Sequence, residues 1–307
     1  MAKNISKGKI VNMLEEKAAF FNFRVWVKQN WKVVLVLVLL VCAAYWNSLG
    51  ADFTSDDTRS ILNNESLDKT SYVLGQNRIN PIIHFFINKI FGRVPIYYRL
   101  VNIIAHAAVV LTTYLLFSIL IGPKVAFFTA AILAVHPIET ESVTWISGGP
   151  YALYTFFIVL ALLLYTLSYK NKKLLKFSFI VFIISLFTHD MAVAFPLVLF
   201  AFILSFSDLR KNWKDLIPFF TAVIIIFLLY MGKIGQRLET FQADFYQESH
   251  IMNPFVQIPI AITSYLGLIF WPKVLTLYHS ELIFSLTQYF IRLALFIIFL
   301  GVVIYSF

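Results

Sequence analysis

Val33–Ala51 reads VVLVLVLLVCAAYWNSLGA, nineteen residues without a charge. As a helix this stretch covers roughly 28 Å at 1.5 Å per residue, close to the hydrocarbon thickness of a bilayer. It is too long for the apolar core of a cleaved signal peptide, and its basic leader is too extended, so it reads as an uncleaved signal anchor. The leader, residues 1–32, carries seven Lys or Arg against two Glu, with Phe20, Phe21, Phe23, Val25 and Trp26 interleaved. It reads either as an amphipathic helix on an anionic inner leaflet or as a solvated tail.

Outward from this stretch the pattern repeats. Apolar runs fall at about 100–121, 125–135, 151–169, 175–187, 191–206, 216–231, 255–271 and 289–307. Of the 307 residues, 60% are hydrophobic and 13% charged, and the mean hydropathy is +0.79. Water-facing surfaces need about twice that charge, so lipid is the expected surroundings. Unsatisfied backbone groups are costly in lipid, so every run is assigned as a helix. The predicted class is an all-α, polytopic membrane helical bundle with about 8–9 apolar segments. Residues 255–271, bracketed by Pro254 and Pro272 with Pro259 inside, fit either a span or a re-entrant helix. The last run ends at Phe307 without a polar tail, so a longer protein is expected.

Charge sets the predicted orientation. The leader, Lys124, the group Lys170, Lys172, Lys173 and Lys176, and Arg210, Lys211 and Lys214 fall on alternate connections and hold 15 of the 25 basic residues. The other set includes 51–69, with five carboxylates, and 136–150, with Glu139 and Glu141 and no Lys or Arg. The positive-inside rule places the N-terminus in the cytoplasm and the acidic connections outside. Because the basic residues are dispersed between apolar runs, the net charge of +9 does not point to nucleic acid. The single cysteine, Cys42, excludes an intrachain disulfide and a Cys-based metal site.

Candidate chemistry sits at the acidic ends. Asp56 and Asp57 lie just beyond the first span; on a helix, neighbouring side chains point about 100° apart, so one would face a pocket more readily than the other. A carboxylate there serves as a general base or a cation ligand, or else as the N-cap of a short helix at Thr58–Leu62. His136, Glu139 and Glu141 follow the third run, and His189-Asp190 separates two opposing runs with almost no loop. Ionisable groups so near lipid usually face a polar cavity. Of the basic residues on this side, Lys89, Arg93 and Arg99 are expected to snorkel toward headgroups. No phosphate-binding glycine loop, zinc-protease or serine-hydrolase motif is present. No cofactor is required by any motif; a divalent cation, Mg or Mn, is the one candidate, and its ligands stay unassigned.

The segments DDTRSILNNESL, GRVPIYYRLVNIIAH, HPIETESVTWISGGPYALYTFF, FTHDMAVAFPLVLF and YLGLIFWPKVLTLYHSE, within residues 50–280, resemble GT-C-fold glycosyltransferases that use lipid-phosphate sugars. The likeness is to the protein O-mannosyltransferase-like branch, whose members often carry C-terminal tetratricopeptide repeats. The resemblance implies a catalytic acid residue at Asp56 or Asp57 and a polyprenyl- or dolichyl-phosphate sugar donor arriving from the membrane. It further implies donor or acceptor contacts near His136, Glu139 and Glu141. Arg78, His189, Asp190, Tyr278 and His279 occupy or flank motif positions where the family carries other residues, and complete the expected substrate-binding set.

The expected function is therefore inverting transfer of a sugar, mannose or similar, from a lipid-phosphate donor to a protein or glycan hydroxyl on the outer face. Residues 33–307 form the predicted catalytic module, with 51–99 as its first outer loop. Two other readings are a transporter and a non-catalytic scaffold. A transporter usually places charges near mid-membrane in symmetric halves, and a scaffold has no use for acidic groups at several helix ends.

Overall fold

The computed structural model describes residues 16–18, 21–244, 254–273, 275 and 285–306, with the backbone alone over 230–244 and at 254 and 306. They divide into two compact units after Phe220. Among the described residues there is no strand, so the expected all-α class holds. Five helices are long and apolar enough to cross a membrane, and three shorter apolar helices accompany them. The chain is an integral membrane helical bundle.

In the first unit the helices are α1 (Phe23–Tyr45), α2 (Ser71–Leu74), α3 (Ile79–Phe91), α4 (Pro95–Leu120) and α5 (Pro123–Val135). After these come α6 (Thr140–Thr144), α7 (Gly149–Leu167), α8 (Lys173–Thr188), α9 (Phe195–Phe206) and the start of α10 (Leu209–Asp244). The second unit holds α11 (Pro254–Phe270) and α12 (Leu286–Ser306), packed on each other. Each predicted apolar run falls on one of these helices.

Helix starts follow from local chemistry. Asn22 caps α1, its side chain accepting from the N–H groups of Arg24 and Val25. Pro95, Pro123, Pro150 and Pro196 stand in the first turns of α4, α5, α7 and α9, where a missing N–H costs nothing. Gly122 turns the chain between α4 and α5 at φ 106°, a conformation disfavoured for any side chain with a Cβ. Helix α1 is continuous from Phe23, so it begins within the basic leader and runs on through the apolar stretch.

Helix α4 is the most buried of the five long apolar helices. It packs on α1, α5 and α7. Val110 and Tyr114 meet Leu37, Val41, Ala126 and Ala130 in one cluster, where small residues on α5 let the helices approach closely. At the N-terminal end of α4 the stretch 51–99 is not an open loop. Ile61, Leu67, Phe85, Ile87, Tyr98 and Ile146 form a second cluster that seats α3 against that end.

The expected snorkelling of Lys89, Arg93 and Arg99 is corrected here. Arg93 donates to Ile61 O, Asn64 O and Asp68 Oδ2, and Lys89 Nζ donates to Asp68 O. Arg99 is 2% exposed and donates to the carbonyls of Ala51, Asp52 and Thr144. Carbonyls left open by turns outcompete headgroups because they are fixed and already desolvated. These cations therefore pin 51–68 onto the bundle.

Candidate functional site

The two adjacent aspartates have opposite environments. Asp57 is 0% exposed. Its Oδ1 accepts from Ser147 N–H at 2.8 Å and Ser147 Oγ–H at 2.6 Å, and its Oδ2 accepts from Thr54 N–H at 3.2 Å. Asp56 is exposed. The backbone that separates them is irregular: Ser55 sits at φ 51°, and Thr58–Leu62 is a single π turn. A non-glycine residue in the left-handed region costs of order 1 kcal/mol and is held only where the surroundings impose it. Asp57 occupies the N-cap position of that turn without a side-chain cap bond, so capping does not explain it. Its carboxylate instead ties the first acidic segment to the turn before α7.

That turn is shaped by three residues around it. Asn102 Nδ2 donates to Trp145 O at 2.9 Å and Ile146 O at 3.3 Å. A Cβ at Gly149 would stand 2.0 Å from Asn102 Oδ1, and one at Gly148 would stand 2.4 Å from Glu141 O. Two glycines are therefore required for 145–149 to pass this close to α4 and α6. Ser147 then presents both its N–H and its hydroxyl to Asp57.

A second group forms beside it. Arg78 pairs with Asp190 Oδ1 and donates to Leu186 O at 3.2 Å. His189 Nδ1 accepts from Met191 N–H at 3.1 Å, which caps the turn leading into α9. The His189 ring stacks on Tyr154 at 5.1 Å between centroids and lies tilted on Tyr151 at 4.7 Å. Burial holds the His189 pKa below its ordinary value; Asp190 opposes that shift and Arg78 adds to it.

Glu139 is half-buried at the start of the segment that leads into the turn. Its Oε2 accepts from Ser142 Oγ–H at 3.0 Å. Among the described residues, the buried side-chain atoms without a hydrogen-bond partner are His106 Nε2 and Trp145 Nε1. His136 Nδ1 accepts from Ile138 N–H, and Glu141 is exposed. Tyr278 and His279 lie outside the described residues. The 139–154 stretch thus gathers Asp57, Glu139, His189 and, through His189 and Asp190, Arg78. Ser147, Arg99, Asn102, Tyr151 and Tyr154 were not among the expected site residues. Asn102 and the Gly148-Gly149 pair lie within the motifs that carry the resemblance, which was the available signal.

Among the described residues no three His, Cys, Asp or Glu side chains lie close enough together to hold a metal ion. The carboxylates are instead taken up by protein donors or turned outward singly.

No family model matches the chain, and no solved structure matches it. Curated proteins do. The chain is 31% identical over 175 residues to the mouse (Mus musculus) protein O-mannosyl-transferase TMTC3, covering 51% of this chain and 18% of that protein. It is 27% identical over 228 residues to the protein O-mannosyl-transferase F38B6.6 of Caenorhabditis elegans, covering 66% and 33%. A third relative is human (Homo sapiens) TMTC2, 31% identical over 160 residues, covering 43% and 18%. The chain spans a third or less of the length of these relatives. Their names agree with the resemblance to protein O-mannosyltransferases carried by the sequence motifs.

Proposed function

We propose that this chain is the membrane part of a mannosyltransferase that moves the sugar of a lipid-phosphate donor to a hydroxyl on a protein or glycan acceptor. The observation that carries the reading is the contrast between the exposed Asp56 and the buried, fully bonded Asp57 on a turn seated against the bundle. The names of the relatives support the sugar and the class of reaction.

In this reading Asp56 is the general base. Its carboxylate takes the proton of the acceptor hydroxyl while that oxygen attacks the anomeric carbon. The bond from that carbon to the phosphate oxygen breaks, and the electron pair leaves with the lipid phosphate. Attack opposite the departing phosphate inverts the anomeric centre. Asp57 has both oxygens engaged by Ser147 and Thr54, so it holds the turn rather than receiving a proton. Arg59, exposed on the same turn, and Arg78 meet the charge that develops on the phosphate. The proposed setting is the outer face, with the N-terminus in the cytoplasm.

The test is transfer of radiolabelled mannose from a polyprenyl- or dolichyl-phosphate donor in membranes containing the full-length protein. Transfer that an Asp56→Asn change reduces by roughly 10²–10⁴ supports the reading. Mannose transfer equal in wild type and membranes without the protein overturns it, as does movement of solute across vesicles without transfer.

A further inference from the structure

We infer that α11 and α12 hold the phosphate of an anionic bilayer phospholipid, bound by the guanidinium of Arg292 and the hydroxyl of Ser264. Arg292 is the one charged residue in these two helices. It is half-buried, and no carboxylate among the described residues pairs with it. A cation inside a spanning helix is costly and marks a place where a counter-charge binds. Its bonds to the neighbouring helix all leave from one atom. Arg292 Nη1 donates to Ser264 Oγ at 2.5 Å and, more distantly, to Ile260 O at 3.4 Å and Thr263 Oγ1 at 3.5 Å. Nε and Nη2 form no bond among the described residues, and both reach the surface of the helix pair. The guanidinium is thus pinned at one corner, with the edge made by Nε and Nη2 open.

That edge presents two parallel N–H donors, which match two oxygens of one phosphate. Ser264 Oγ accepts from Arg292 and donates to no described group, so its hydrogen is left for a third bond. Thr263 has none to give, since its Oγ1 donates to Pro259 O at 2.7 Å. The surroundings select the kind of phosphate. Ile291 and Leu295 on α12, and Ile258 and Tyr265 on α11, are exposed on either side. Reciprocal bonds between Ser285 and Gln288 fix the start of α12. Arg292 follows Leu286 by six residues, which is roughly 9 Å along the helix and short of a midplane ~15 Å from either boundary. A long basic side chain at that depth reaches the headgroup layer. A free anion would have to leave water for this apolar margin. A phospholipid brings acyl chains that suit it, and is present as the solvent itself. The inference rests on α12 lying in the membrane and not on sugar transfer.

The experiment uses the full-length protein in phosphatidylcholine vesicles doped with a phosphatidylglycerol that carries a photoactivatable group beside its phosphate. A diacylglycerol with the same group is the control, and crosslinked peptides are mapped by mass spectrometry. Residues 258–265 and 288–295 should capture the phosphatidylglycerol roughly fivefold or more above the diacylglycerol. Arg292→Gln should remove that excess while crosslinks elsewhere in the chain stay unchanged. Arg292→Lys, which keeps the charge without the fork, and Ser264→Ala should each lower it roughly two- to threefold. Size-exclusion profiles and thermal unfolding check that each variant is folded; the last two changes carry the test if Arg292→Gln does not fold. Equal capture of the two probes by the wild type overturns the inference, as does an excess that survives all three substitutions. Loss of the excess on adding millimolar inorganic phosphate overturns it in favour of a free anion. Displacement by a polyprenyl phosphate, but not by unlabelled phosphatidylglycerol, overturns it in favour of an isoprenoid lipid.

Discussion

Replacing Asp57 by Asn should destabilise the protein, whereas replacing Asp56 by Asn should leave it folded and inactive. In Asp57 one oxygen accepts two bonds from Ser147 and the other accepts one from Thr54 N–H, with no solvent access. An amide has one acceptor oxygen, so its NH₂ must face either Thr54 N–H or Ser147 N–H, donor against donor. A buried backbone N–H left unpaired costs about 1–3 kcal/mol. The surviving bonds lose their charge assistance, about 1 kcal/mol more. The expected loss is therefore about 2–4 kcal/mol. Ser147→Ala removes one donor to the same carboxylate and should cost about 1.5–3 kcal/mol. Because the two side chains share one bond, the double variant should fall short of additivity by about 0.5–3 kcal/mol. Asp56 is exposed, and its Asn variant should stay within about 0.5 kcal/mol of wild type while transfer falls about 10²–10⁴-fold. Unfolding in mixed micelles gives the first set, and mannose transfer at matched amounts of folded protein gives the second. An Asp57→Asn protein as stable as wild type would refute the anchoring role. Full transfer by Asp56→Asn would refute the base.

Gly149→Ala should break the site without touching a titratable group: its Cβ lands on Asn102, and overpacking plus the lost bonds to Trp145 and Ile146 should cost about 2–4 kcal/mol. Asn102→Ala in the same background should recover part of that loss, measured by the same unfolding assay. His84, buried beside Tyr98, has its pKa pushed down to about 4 by desolvation, with Asp57 opposing the shift. Its folded value lies below the unfolded 6.5, so its contribution is complete above pH 6.5 and is lost as pH falls toward 4. The slope should reach at most about 1.4 kcal/mol per pH unit in that window and flatten in His84→Gln; equal slopes in both proteins would remove His84 as the cause. Cysteines at Asn171 and Asn63, in a protein without Cys42, should react from opposite sides of the membrane. Labelling of both by an impermeant reagent in intact cells contradicts the orientation.

The helical class and the places of the spans were legible in the sequence because lipid leaves few choices. Nineteen uncharged residues from Val33 to Ala51 can satisfy their backbone in hydrocarbon only as a helix, and the same holds for each later run. The acidic ends of the runs were legible too, since carboxylates are conspicuous where apolar runs stop. What the sequence left open was which groups meet. Asp56 and Asp57 are equivalent in composition; the left-handed Ser55 and the π turn after it decide that one is buried and the other open. Those dihedrals are set by Ser147, ninety residues away, and by Arg99 holding Ala51, Asp52 and Thr144. Arg99 itself read as a snorkelling cation, because a long basic side chain at the end of an apolar run looks the same whether headgroups or buried carbonyls await it. Local pattern records what each segment does to its own backbone and to the solvent. Partners between segments are settled by the packing of α4 against α1, α5 and α7, which brings distant turns within hydrogen-bonding reach and leaves each charge one place to go.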